Sequence, residues 1–298
     1  MTRRSIIKNL ALAGIGIGAT MNLKSLNRMT ENLPSGNPMP VLFLGHGSPM
    51  NAIEENEFVQ GFRNVAKTIP VPAAILVVSA HWLTRGTHVT AMENPPTIHD
   101  FGGFPKELYE IQYPAPGHPE LAVETQQLIT SAAVELDDKW GLDHGAWTVV
   151  RHMYPEANIP VIQLSIDYDK PGEYHYNLGK ELAALRRKGV LIIGSGNIVH
   201  NLRMVAWNKL HEPDYGYDWA LEARAKLNDF ILKENHKALM DYRQQGQAIQ
   251  LAIPTPDHFY PLLYTLGLKE NTDEIQLFND KALGGSLTMT SVMIGNLN

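Results

Sequence analysis

A chain of 298 residues can bury a full core, as one large domain or two small ones. Its 44% hydrophobic and 19% charged residues describe a globular protein and exclude a disordered one. With no cysteine it can form no disulfide, iron–sulfur cluster, thiolate zinc site or Cys nucleophile, so any metal must be held by His, Asp, Glu or backbone oxygen.

The formal net charge of -6 is unevenly spread. Residues 1–30 hold Arg3, Arg4, Lys8, Lys24 and Arg28 and no acid, which leaves 20 of the 25 basic residues against all 31 acidic ones. An acidic body argues against nucleic acid as a partner. The basic start runs into the short, mildly apolar, Gly/Ala-rich stretch Asn9–Ala19. That is the organisation of a signal peptide, and it is too short for a stable membrane span. The pair Arg3-Arg4, followed by Ser5, Ile6, Ile7 and Lys8, looks like a twin-arginine export signal. The expected partner of residues 1–30 is thus the twin-arginine machinery and the expected location the periplasm. An unstructured extension on a cytoplasmic protein is the alternative. Residues 31–40, with Pro34, Gly36, Pro38 and Pro40, read as a linker, and 41–298 as the working domain.

Val41–Gly45 reads as a buried strand that ends in the turn Gly45-His46-Gly47-Ser48-Pro49. Glu54–Ile69 has helical spacing at Phe58, Phe62 and Val65. Ala73–Ala80 is a strand apolar throughout that runs into His81-Trp82, and His88–Glu93 is a short neighbouring strand. Asn94–Pro119 is a long Pro/Gly/aromatic loop, expected to be a lid or pocket wall. Next come a helix over His118–Ala133, a strand near Val134–Leu136, and the aromatic loop Trp140–Trp147, in which Gly141 and Gly145 flank His144. A helix over Val149–Tyr154 precedes a strand over Ile159–Ile166, an amphipathic helix over Glu173–Lys188 and the strand Val190–Gly194. The turn Ser195–Asn201, with His200, is expected to enter a helix. A long helix follows from Trp219 to about Arg243. His258 lies in the proline-bracketed stretch Ala252–Pro261, before a helix over Leu262–Gly267 and a final edge-type strand over Ser286–Ile294. The alternation predicts a single α/β domain, with a central mostly parallel or mixed sheet flanked by helices.

Three apolar runs therefore deliver a histidine at or just past their C-terminal ends: His46, His81 and His200. In open α/β sheets that edge gathers ligands and catalytic groups. His144 and His258 share the Gly/Pro-rich context. The other histidines, His88, His118, His152, His175, His211 and His236, read as surface or helix positions, and His99 is intermediate because it adjoins Asp100. A site of three or four imidazoles without thiolate suits zinc or non-haem iron. Ser48 and Ser195 sit outside any Gly-x-Ser-x-Gly elbow. Gly194-Ser195-Gly196-Asn197 lacks the rest of a phosphate-binding fingerprint.

Six ordered motifs carry a resemblance: Leu44–Asn51, Ser79–Trp82, Pro96–Pro105, Asp143–Trp147, Gly196–Asn201 and Thr255–His258. Together they resemble the class III (LigB-type) extradiol ring-cleavage dioxygenases, in particular the 4,5-DOPA extradiol dioxygenase group, from about residue 40 to the C-terminus. The resemblance implies a dioxygenase that inserts both atoms of O2 into a catechol-type, DOPA-like ring. It makes His46 and His81 metal ligands and puts His258 where the wider class has a third ligand, usually glutamate. It makes His200 a fourth ligand or the acid/base, and His144 a second-sphere histidine facing the substrate. Fe(II) is what the reaction requires, while the all-imidazole set also accepts Zn(II). Phe101, Phe104 and Trp147 are candidates to pack on the ring. Two alternatives keep the histidines: a zinc-dependent hydrolase or tetrapyrrole chelatase, and a non-catalytic metal-binding protein of the cell envelope.

Overall fold

Strands that are apolar at every position need cover on both faces, and here they have it. The computed structural model describes residues 37–296, so the expected export signal and most of the linker lie outside the described residues. Strand β1 (Val41–Gly45) is fully buried. Helix α1 (Glu57–Thr68) is capped by Asn56, whose side chain accepts from the amides of Phe58 and Val59. Then follow β2 (Ala74–Thr84), β3 (Thr87–Thr90), the single turn α2 (Lys106–Tyr109), α3 (Pro119–Leu128), β4 (Val134–Asp137), α4 (His144–Met153) and β5 (Val161–Asp167). The second half contains α5 (Gly172–Glu181), α6 (Ala183–Arg187), β6 (Val190–Gly196), α7 (Asp218–Leu232), α8 (His236–Met240), α9 (Gln247–Ala252) and α10 (Tyr260–Gly267). It closes with β7 (Glu274–Phe278), the small pair β8 (Ala282–Leu283) and β9 (Leu287–Thr288), and β10 (Ser291–Gly295).

Eight strands form one mixed sheet in the order β4-β3-β5-β2-β6-β1-β10-β7. The inner four, β5, β2, β6 and β1, are mutually parallel. Antiparallel β3 and β10 flank them. Alternate residues of β1 serve opposite cores. Val41 and Phe43 join a cluster with residues of α5, α7, α9 and α10, while Leu42 and Leu44 join one with residues of α1 and α4. This is the predicted α/β domain. Among the described residues no helix is long and apolar enough to cross a membrane.

Several local expectations change. The helix expected over 219–243 stops at Leu232, because Glu234 takes a φ of 54°, and a new helix starts at His236 with Asn235 as cap. The turn after β6 enters no α-helix. Its amides are taken elsewhere: His200 donates to the Ala252 carbonyl and Asn201 to that of Ser286. Helix α4 begins five residues before the expected Val149, at His144, where Asp143 caps it through the Ala146 amide. The last strand lies inside the sheet, covered by β7, whose partly exposed alternation gave little signal.

Candidate metal centre

The parallel strands β1, β2 and β6 end on one edge of the sheet, and the edge is built to bring histidines together. After β1 the chain turns at Gly47, whose φ of 66° favours glycine. His46, just before it, is 2% exposed. Strand β2 runs past His81 to Thr84, but its register against β5 shifts between Val78 and Leu83. Such an irregularity re-aims a side chain. The Ser79 hydroxyl, accepting from the His81 amide, helps hold it. Gly145 makes room: a Cβ there would lie 2.5 Å from the Ser79 hydroxyl and 2.9 Å from the His81 ring. His258 arrives from the loop before α10.

His46, His81 and His258 can each offer one nitrogen, all within 4.8 Å of one another. Nε2 of His46 lies 3.2 Å from Nε2 of His81. That is the separation of two nitrogens bound to one ion at about 2.05 Å with an angle of roughly 100°. The tautomers agree. The single proton of the Ser195 hydroxyl goes to the Gly145 carbonyl at 2.5 Å, so the hydroxyl accepts from Nδ1–H of His46 at 2.9 Å. Nε2 of His46 is then left with its lone pair towards His81. The Asp257 carboxylate accepts from Nδ1 of His258 at 2.5 Å. A carboxylate behind a ligating imidazole fixes the ring and strengthens it as a donor.

The electrostatics favour neutral rings. Burial, then the neighbouring imidazoles of His258, His144 and His200, lowers the pKa of His46 well below 6.5. Burial and then His144, His46, His258 and His200 do the same to His81. A metal ligand must be deprotonated, so these rings need not lose a proton to bind. The donor set therefore fits a divalent cation such as zinc or iron: three imidazole nitrogens converge, and Nδ1 of His46 and of His258 is held from behind.

The remaining expected site residues surround this set. His200 stacks on His258, with ring centroids 3.6 Å apart and 10° between planes. Its donor atom groups with those of Asp257 and His258, and not with His46 and His81. Its pKa is pushed down to about 3, by burial first and by His258 second. His144 packs on His81 at 3.8 Å between centroids, and the Phe101 edge meets it at 5.6 Å. Phe104 packs on Phe101, but Trp147 is fully buried and donates to the Ile98 carbonyl, so it backs the loop and faces no ligand. The loop itself is a wall: Ile98 and Leu142 amides zip it to the 140s through the Leu142 and Pro96 carbonyls.

Three carboxylates escaped the sequence reading. Asp143, fully buried, accepts from the Ser79 hydroxyl, the Gln163 amide and the Trp140 indole behind the cluster. Burial, then Asp100, still pushes its pKa up. Asp257 backs His258, and Asp100 backs His144. An N-cap pattern before α4 could have exposed Asp143; Asp100 acts across 44 residues and leaves no local signal.

The sequence matches, over residues 40–286, the family described as the catalytic LigB subunit of aromatic ring-opening dioxygenase. The chain belongs to the LigB family. It is by that membership an extradiol ring-opening dioxygenase. Among its LigB relatives, a 4,5-DOPA dioxygenase extradiol of Escherichia coli K12 is 48% identical over 88% of this chain and 96% of its own. One from Beta vulgaris is 38% identical over 84% and 94%. A crystal structure of an uncharacterized E. coli K12 protein superposes with a TM-score of 0.72 at 42% identity, covering 86% of this chain and all of that one.

Proposed function

We propose that this enzyme opens a catechol-type, DOPA-like ring with both atoms of O2, using one divalent metal held by His46, His81 and His258. The observation that carries the reading is the convergence of three imidazole nitrogens at the sheet edge, with two further histidines packed on the ligands. The printed names of the DOPA dioxygenase relatives support the substrate class. Iron(II) bound there supplies the electron transfer that lets O2 react with an aromatic ring. The chain's own residues do the rest. His144 and His200 lie beside different ligands, and an imidazole there can take a hydroxyl proton as substrate binds and return one as the ring opens. Phe101, edge-on to His144, gives an apolar surface for a ring. Zinc fits the same ligands without supporting the redox step.

The test is anaerobic reconstitution with iron(II), then O2 and a catechol panel that includes DOPA. The expected result is stoichiometric oxygen uptake with a yellow ring-opened product. Protein shown to hold iron that consumes no O2 with any catechol overturns the proposal.

A further inference from the structure

Asp100 lies in the aromatic loop, 44 residues before His144, yet its side chain meets that residue twice. One carboxylate oxygen accepts from the His144 backbone amide at 2.8 Å, and the other faces Nδ1 of its ring at 2.9 Å. The nearer alternative partner, Nδ1 of His81, is 3.8 Å away, beyond hydrogen-bond range. The pair is partly shielded from water, with side chains 16% and 7% exposed. Both Asp100 oxygens thus face nitrogen donors of one residue, the arrangement that satisfies a carboxylate.

We propose that Asp100 is a positioning residue that fixes His144 in its Nδ1–H tautomer and so presents Nε2 as the proton acceptor of the site. An ionised carboxylate can only accept, so the facing nitrogen must carry the hydrogen. The backbone bond and the ring bond share one carboxyl group, which fixes the ring's direction relative to α4. Asp100 is fixed in turn. Ile98 is tied to Leu142, His99 Nε2 meets the Ile111 carbonyl at 2.9 Å, and Phe101 packs on the His144 ring. Two acids at one helix start thus divide the work: Asp143 caps α4 and turns inward, while Asp100 holds its first side chain. This role rests on the proposed function of His144, whereas the tautomer is a property of the chain alone.

Asp100→Asn keeps shape but offers an amide that can donate to Nδ1, which moves the ring proton to Nε2. Three readouts follow. In metal-free protein labelled with ¹⁵N-histidine, the His144 signals, assigned by their loss in His144→Gln, should report Nδ1–H in the wild type and the other tautomer in Asp100→Asn. With iron loaded, kcat should fall about 10²–10⁴-fold, the range for a misplaced or mis-tautomerised base, with KM changed only a few-fold. Bound metal should stay at the wild-type level, and Asp100→Glu should restore much of both tautomer and rate. An unchanged His144 tautomer in Asp100→Asn overturns the proposal. So does loss of bound metal, because Asp100 would then be a ligand. A changed tautomer in proteins that cleave no catechol supports the positioning role and counts against the proposed function alone.

Discussion

Two buried polar regions in this molecule are built on opposite principles. In one, Arg186 is fully buried, yet each of its three side-chain nitrogens donates a hydrogen bond. Nε donates to the Met39 carbonyl at 2.8 Å, Nη1 to the Leu268 carbonyl at 2.7 Å, and Nη1 and Nη2 to the two oxygens of Asp273 at 2.7 and 3.0 Å. Burial would raise the Asp273 pKa, but the Arg186 bond, ahead of the other contributions, brings it below the usual value. Both groups keep their charges, and the pair ties the entry to β1, the end of α6 and the segment after α10. In the other region burial and the neighbouring imidazoles hold the pKa values of His46 and His81 well below 6.5, and ring nitrogens of His46, His81 and His258 converge on one point. The first region satisfies itself and stabilises the fold. The second satisfies the outer nitrogens of His46 and His258 and leaves the inner ones for something the chain does not contain. A buried polar cluster that is saturated on the outside only marks a place for a ligand.

The contrast can be broken from either side. The largest effect is expected from His46→Ala, which should abolish metal binding and turnover while the variant still unfolds cooperatively. Added zinc should raise the melting temperature of the wild type and leave that of the variant unmoved, because only a ligand that binds the folded state stabilises it. Next comes Arg186→Met. It strands a buried carboxylate and two carbonyls, and should cost about 3–5 kcal/mol in a urea melt, as for other broken buried pairs. The variant should keep wild-type metal stoichiometry in whatever fraction remains folded.

The smallest effect isolates the cost of burying a neutral imidazole with no metal to repay it. His175 is fully buried and its pKa is lowered to about 4, mainly by that burial. In the unfolded chain it titrates near 6.5. Between these values the unfolded state binds the extra proton, so stability should fall as pH drops from about 6.5 towards 4, by about 2 kcal/mol at pH 5. His175→Gln should remove that share of the slope in denaturant midpoints measured against pH. An unchanged slope would place the acid sensitivity in groups other than His175.

Much of the frame is legible in the sequence because local chemistry sets it. β1 and the starts of β2 and β6 read as apolar runs, and such runs are buried on both faces. The strand-end glycines beside His46 and before His200 point to the active edge. What stays hidden depends on distant partners. His175 reads as a surface position, yet α5 turns it against Tyr260 and Tyr264 of α10. Asp100, Asp143 and Asp257 look like ordinary loop acids until the fold sets a histidine or a helix start against each. The break at Glu234 has little local signal, since a non-glycine residue gives no warning of a positive φ.

The position of β10 has a consequence for how the protein is made. A ribosome delivers β1 early, but β1 pairs on one side with β6, at Phe43 opposite Gly194, and on the other with β10, at Phe43 opposite Val292. The strand that presents His46 is therefore enclosed on both sides only when β10 has left the exit tunnel. Non-local pairing of this kind is slow to form. A nascent chain stalled before residue 291 has the histidines but no closed sheet to hold them.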